Sequence, residues 1–149
     1  MRRFQEFVRK RYLRREPASA KEIRSILDVV ERDIAQCSDV DLGLDWRFNI
    51  AYNAGLQLCK IVLRASGFRT STRSPAHFVT INCLPEFLGE SQKERTDYLD
   101  QCRSMRNRAE YDAVGVVSEV EVSELFDEVS SLKQEVLAWL SSSHPELVQ

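Results

Sequence analysis

Arg103, Arg106, Asn107 and Glu110 recur at i, i+3, i+4 and i+7 within the segment RSMRNRAEYD, residues 103–112. In a helix that spacing puts all four on one face. Guanidinium groups beside a side-chain amide are planar, charged donors suited to phosphate oxygens, and Glu110, four residues after Arg106, can orient that guanidinium by an ion pair. Such a stripe can grip a phosphate or, with a proton-transferring group beside it, help an RNA strand cleave through its own 2′-hydroxyl. The same spacing also describes a plain surface ladder of ion pairs, each contributing about 0.3–0.5 kcal/mol.

The elements that must position this stripe are helices. Ser19 and Glu22 stand in capping-box spacing ahead of Ile23, Ile26, Leu27, Val30, Ile34 and Cys37, an apolar line with the 3.6-residue period. From about Asp45 to Ser66 apolar residues occur nearly all round the wheel, which predicts a central helix closed by Gly67. FRTSTRSP reads as a loop. Pro75 then suits the first turn of a short helix carrying Phe78, Val79 and Ile81, ended by Pro85 and Gly89. Ser91 with Glu94 predicts a second box, opening a helix with Tyr98, Cys102, Met105 and Ala109 on its core face and the arginine stripe beside that face. After a break at DAVGV, Ser118 and Glu121 predict a third box and a long helix buried through Val122, Leu125, Phe126, Val129, Leu132, Val136 and Leu140. The expected fold is all-α: an antiparallel up-and-down helical bundle of four main helices plus a short helix, with a basic N-terminal helix appended.

Charge divides the chain into residues 1–16, a basic helix or extension, and residues 17–149, the bundle. The first part holds seven Lys/Arg against two Glu, within a chain of 149 residues whose net charge is −2. As a helix it would align Phe4, Val8 and Tyr12 and serve either to meet RNA phosphate or an anionic membrane surface, or to solubilise while docked on the acidic body. Residues 113–149 carry seven carboxylates against one lysine, a pattern expected of a solvated outer face that could also receive the basic helix. MRRFQEFVRKRYLRRE lacks the apolar centre of a secretory signal and no run of 18 apolar residues occurs, so a cytoplasmic location without membrane insertion is expected. Cys37, Cys59, Cys83 and Cys102 are spread without a CxxC pair and read as reduced core thiols. No metal site and no cofactor are expected: GxxxxGK[ST], GxGxxG and HExxH are all absent, and the serines lack a nucleophile elbow.

The succession WRFNIAYNAGLQLCKIVLRASGFR, HFVTINCLPEFLG and YLDQCRSMRNRAEYD resembles that of bacterial members of the HEPN superfamily (higher eukaryotes and prokaryotes nucleotide-binding domains), over about residues 18–142. The resemblance implies an all-α bundle that often dimerises with its motif helices facing across a cleft. Many members are metal-independent endoribonucleases, often toxins paired with a nucleotidyltransferase-like antitoxin; others bind RNA or a protein partner without catalysis. Carried onto this chain, the resemblance implies a homodimer, RNA as ligand, and Arg103, Arg106 and Asn107 as the phosphate-binding residues.

The chain departs from the catalytic family pattern, an arginine followed after four to six residues by histidine. Arg106 and Asn107 match its opening pair, but the histidine position is Tyr111. The tyrosine that antitoxins modify in the toxin subset is Ala113 here, and counting from Arg103 leads to Glu110. Histidine, with an ordinary pKa of about 6.5, serves as base or acid near neutrality; tyrosine at about 10 and glutamate at about 4.3 serve poorly unless burial shifts them. General acid–base help is worth roughly 10²–10⁴ in rate. Weak or absent ribonuclease activity is therefore expected, with Arg106 as the charge stabiliser and Tyr111 or Glu110 as the proton-transferring group if cleavage occurs. His77 and His144 read as exposed or hydrogen-bonded side chains, and Trp46 and Trp139 as core or interface anchors. The other expectation is a catalytically inert helical interaction module whose motif knits the bundle together.

Overall fold

The computed structural model describes the backbone of residues 2–111 and 117–148 and the side chains of 3–106 and 117–148. Helices α1 (Arg2–Arg9), α2 (Ala20–Cys37), α3 (Leu44–Ala65), α4 (Ala76–Asn82), α5 (Leu84–Leu88), α6 (Lys93–Tyr111) and α7 (Glu119–Ser143) are joined by two short strands, β1 (Leu13–Arg15) and β2 (Phe68–Thr70). The fold is an all-α helical bundle whose four main helices are α2, α3, α6 and α7. No helix among the described residues is long and apolar enough to cross a membrane.

Helix α3 is the axis, and its composition is the reason. Phe48, Ala51, Tyr52, Ala54, Leu58, Cys59, Ile61 and Val62 are all buried, so the helix must be covered on several sides, which α2, α4, α6 and α7 do. Its 22 residues span about 33 Å. A Cβ on Gly55 would lie 3.1 Å from Val129 Cγ2 and 3.4 Å from Leu99 Cδ2, so at this point α3 meets α6 and α7 at a separation that only glycine permits without a shift. Of the expected lines, α7 buries Val122, Leu125, Val129, Leu132, Val136 and Leu140 and leaves Phe126 half-buried, while α2 buries Ile23, Ile26, Leu27, Val30 and Cys37 and leaves Ile34 half-buried. The four cysteines are free and buried.

The caps differ in an instructive way. At Ser118 the box is complete: its hydroxyl accepts from the Glu121 N–H at 3.2 Å while Glu121 accepts from the Ser118 N–H at 2.9 Å. At Ser19 only half forms. Its hydroxyl accepts from the Glu22 N–H at 3.1 Å, but the Glu22 carboxylate turns to Arg64, accepting from Nε at 2.7 Å, because a charged partner outbids a neutral amide. The box expected at Ser91 and Glu94 does not start its helix. The chain enters α6 through a 3₁₀ turn over Glu90–Gln92, following Gly89 at φ 107°.

Several further expectations are corrected. FRTSTRSP is not loop throughout: Phe68–Thr70 pairs antiparallel with Leu13–Arg15, in the register Leu13↔Thr70, Arg14↔Arg69 and Arg15↔Phe68. Residues 1–16 are therefore not one helix. Helix α1 ends in a Schellman-type closure, Tyr12 N–H to Phe7 C=O at 2.9 Å and Arg11 N–H to Val8 C=O at 3.0 Å, with Arg11 held at φ 60°. It docks through Phe4 and Phe7 onto Phe68, Phe87 and Phe78 of the same chain, with ring centroids 5.3 to 5.9 Å apart. The acidic last helix is not simply a solvated face, since Glu128 accepts from Arg95 of α6 at 2.7 Å and Glu135 accepts from Gln92 at 2.8 Å. Pro85 opens α5 and does not end the short helix before it. Trp46 is 68% exposed, so it is no core anchor. Trp139 packs against the core and meets the ring of His144 edge-on at 4.9 Å.

Candidate functional site

Helix α6 runs without glycine or proline from Lys93 to Tyr111, which makes its helical state unremarkable. Its rotation is the informative feature. Thr96, Leu99 and Cys102 are the buried positions, while Tyr98 and Met105 are half-buried. Arg103 and Arg106 stand four and seven residues after Leu99, on the same 3.6-period stripe. The two arginines thus continue the buried face and do not form a separate polar stripe. This corrects the expected geometry, and both side chains are half-buried accordingly.

The arginines are received by aromatic rings. Arg103 Cζ lies 5.6 Å from the centroid of Phe78 of α4, and Arg106 Cζ lies 5.6 Å from the centroid of Tyr52 of α3, both within cation–π range. Arg103 Nε also donates to Asp100 Oδ1 at 2.9 Å. A third guanidinium comes from α1: Arg3 Cζ is 5.7 Å from the Phe78 centroid, and its Nη1 donates to Asn82 Oδ1. Asn107, Glu110 and Tyr111 have side chains outside the described residues.

Tyr52 is 1% exposed. Burial pushes its hydroxyl well above the ordinary phenol range, against the pull of the Arg106 and Arg103 charges, so it is a neutral phenol at physiological pH. The Tyr52 hydroxyl and His77 Nδ1 are 3.4 Å apart, with ring centroids 6.2 Å apart. His77, exposed at the start of α4, therefore belongs to the same cluster as Arg106, with Tyr52 between them. Tyr52, Phe78 and Arg3 were not legible as site residues in the sequence, because each sits in a different helix and none shares a local pattern with the motif. The one available signal was histidine and phenylalanine adjacent at 77–78, directly after the proline turn.

Among the described residues no group of three or more His, Cys, Asp or Glu could hold a metal ion. What the cluster can do is present cations on an aromatic floor, with a histidine at one side. No protein-family model, no curated protein and no solved structure matches the chain.

Proposed function

We propose that this is an RNA-directed protein of the HEPN type that binds RNA phosphate at Arg103, Arg106 and Asn107, in a cleft formed by two copies of the chain. The observation that supports this reading is the set of three guanidiniums, from Arg3, Arg103 and Arg106, gathered over the rings of Phe78 and Tyr52, with Asp100 paired to Arg103. Cation–π contact fixes the guanidinium planes while like charges stay close together, an arrangement whose repulsion an incoming phosphate relieves.

Cleavage is weak or absent on this reading and needs no metal. The motif offers Tyr111 and Glu110 in place of histidine. A toxin–antitoxin setting with a nucleotidyltransferase-like partner is part of the same proposal. The test compares Arg106→Ala with the parent chain for retention of a single-stranded oligoribonucleotide and for Tm. Loss of one charge-assisted contact lowers affinity about tenfold or more and flattens its salt dependence. Unchanged retention would overturn the proposal.

A second reading has its own support. Arg103 Nε is tied to Asp100, and Arg106 lies on a ring that is itself buried, as expected if the motif braces the bundle of a catalytically inert interaction module. Under that reading Arg106→Ala lowers Tm and leaves every RNA property as it was.

A further inference from the structure

A second cationic feature lies on the other side of His77. Arg14 of β1 and Arg69 of β2 stand directly opposite each other in the ribbon, and like charges so placed destabilise a strand pair. Glu16 answers both, lying 3.4 Å from Arg14 Nη2 and accepting from Arg69 Nε. Glu22 accepts from Arg69 Nη2 at 3.2 Å. Beneath them a cavity of about 360 Å³, open to solvent, lies between the ribbon, α3 and α4, and Arg14, Lys60, Arg69, Thr70, Thr72 and His77 all line it. That volume falls in the range of small-ligand sites, about 300–1,000 Å³.

The charges around this cavity do not cancel. Arg14, Lys60, Arg64 and Arg69 face two carboxylates, Glu16 and Glu22. Arg64 is 1% exposed and wholly engaged with Glu22 and backbone carbonyls. Lys60 is half-buried, lines the cavity and interacts electrostatically with Glu22. A sheet of two three-residue strands that places arginine against arginine, beside a half-buried lysine, breaks a local rule of strand pairing. Such breaks concentrate where a protein meets a ligand.

We propose that this cavity is a phosphate-ester site, with Lys60 as its principal cation and the Thr70 and Thr72 hydroxyls and Arg14 as further donors. The site goes beyond the Arg103–Arg106 ridge and is separate from it. Its ligand is the phosphate of a free nucleotide or of an RNA backbone, and a strand lying across His77 would touch both features.

The experiment titrates the full chain at constant ionic strength with inorganic phosphate, with adenosine monophosphate and with a short oligoribonucleotide, following backbone amide shifts of the ribbon and of Lys60. Parent, Lys60→Gln and Thr72→Val chains are compared; Thr72 is exposed, glutamine keeps most of the length of the half-buried Lys60 side chain, and Tm verifies that both variants fold. Binding of phosphate or the mononucleotide, weakened about tenfold or more in Lys60→Gln, supports a nucleotide site. Binding of the oligoribonucleotide alone, weakened by the same substitution, supports the site and assigns it to RNA backbone. No shift with any of the three, or an affinity that Lys60→Gln leaves unchanged, overturns the proposal. Arg106→Ala separates the two readings, since its failure to weaken RNA binding counts against the ridge and leaves the cavity result standing.

Discussion

The guanidinium of Arg64 meets both carboxylate oxygens of Glu22, Nε to Oε2 at 2.7 Å and Nη2 to Oε1 at 2.9 Å. Its remaining donors reach the carbonyls of Glu16 at 2.6 Å, Phe68 at 3.0 Å and Pro17 at 3.4 Å. Five N–H groups thus find five acceptors. One side chain thereby ties the end of α3 to the start of α2 and to both flanks of the ribbon. A buried charge so completely engaged is costly to truncate, because its partners are left desolvated and unpaired. Arg64→Ala should lower unfolding free energy by about 3–5 kcal/mol. Arg64→Lys should recover little, since an ammonium cannot reproduce the fork. Denaturant unfolding of both variants checks this, and a loss below about 1 kcal/mol for Arg64→Ala would refute it.

The same pair makes stability fall in acid. Arg64's hydrogen bond holds the Glu22 carboxyl below its ordinary value of 4.5, outweighing the opposing effect of burial. A carboxylate whose folded pKa is depressed contributes stability that is complete above 4.5 and is lost as pH drops through the lower folded value. Tm measured between pH 7 and pH 2 should decline below about 4.5, and Glu22→Gln should flatten that part of the profile while lowering Tm at neutral pH. An identical acid limb in the two proteins would rule out this origin.

The thiols should be inert while the chain is folded. Burial pushes Cys37 up to about 11 and Cys59, Cys83 and Cys102 up to about 12, and the thiolate is the species that reacts. Labelling with a disulfide reagent at pH 7.5 should detect none of the 4 cysteines before unfolding and all of them in denaturant. Rapid modification of a native thiol would contradict the packing described.

Arg11 is the one described non-glycine residue in the left-handed region, at φ 60°. That conformation costs roughly 1–2 kcal/mol for a residue with a Cβ, and glycine adopts it readily at the position closing a helix. Arg11→Gly should therefore be neutral or stabilising, by up to about 1 kcal/mol once the unfolded chain's added freedom is counted. A clear destabilisation would mean that the Arg11 side chain contributes an interaction outweighing the strain.

Tyr52 offers a way to separate the floor of the ridge from its histidine contact. Tyr52→Phe keeps a ring under Arg106 and removes only the hydroxyl facing His77, and should cost about 1 kcal/mol or less. Tyr52→Leu removes the aromatic face as well and should cost more, with a further loss of up to about 2 kcal/mol from the cation–π contact. On the RNA-binding proposal, retention of an oligoribonucleotide should survive the first change and weaken with the second. Equal retention by both would detach the ring from the site.

Periodicity and caps alone determined the two helices α2 and α7. The apolar lines of α2 and α7 are complete in the sequence because each is a local repeat read at one spacing, and Ser19 and Ser118 mark their starts through bonds that span three residues. The reduced, buried state of the cysteines was likewise legible in their spacing. The tertiary structure decided everything that joins distant segments. Leu13–Arg15 becomes a strand only because Phe68–Thr70 comes alongside it, and a three-residue strand carries no periodic signal of its own. Glu22 stands in capping position yet goes to Arg64, 42 residues away, because a buried guanidinium competes better for a carboxylate than a helix-end amide does. The arginines of α6 were visible as a stripe, but whether that stripe faced water or the bundle depended on how far the helix turned. Leu99 and Cys102 entering the core set that rotation and brought Arg103 and Arg106 onto the rings of Phe78 and Tyr52.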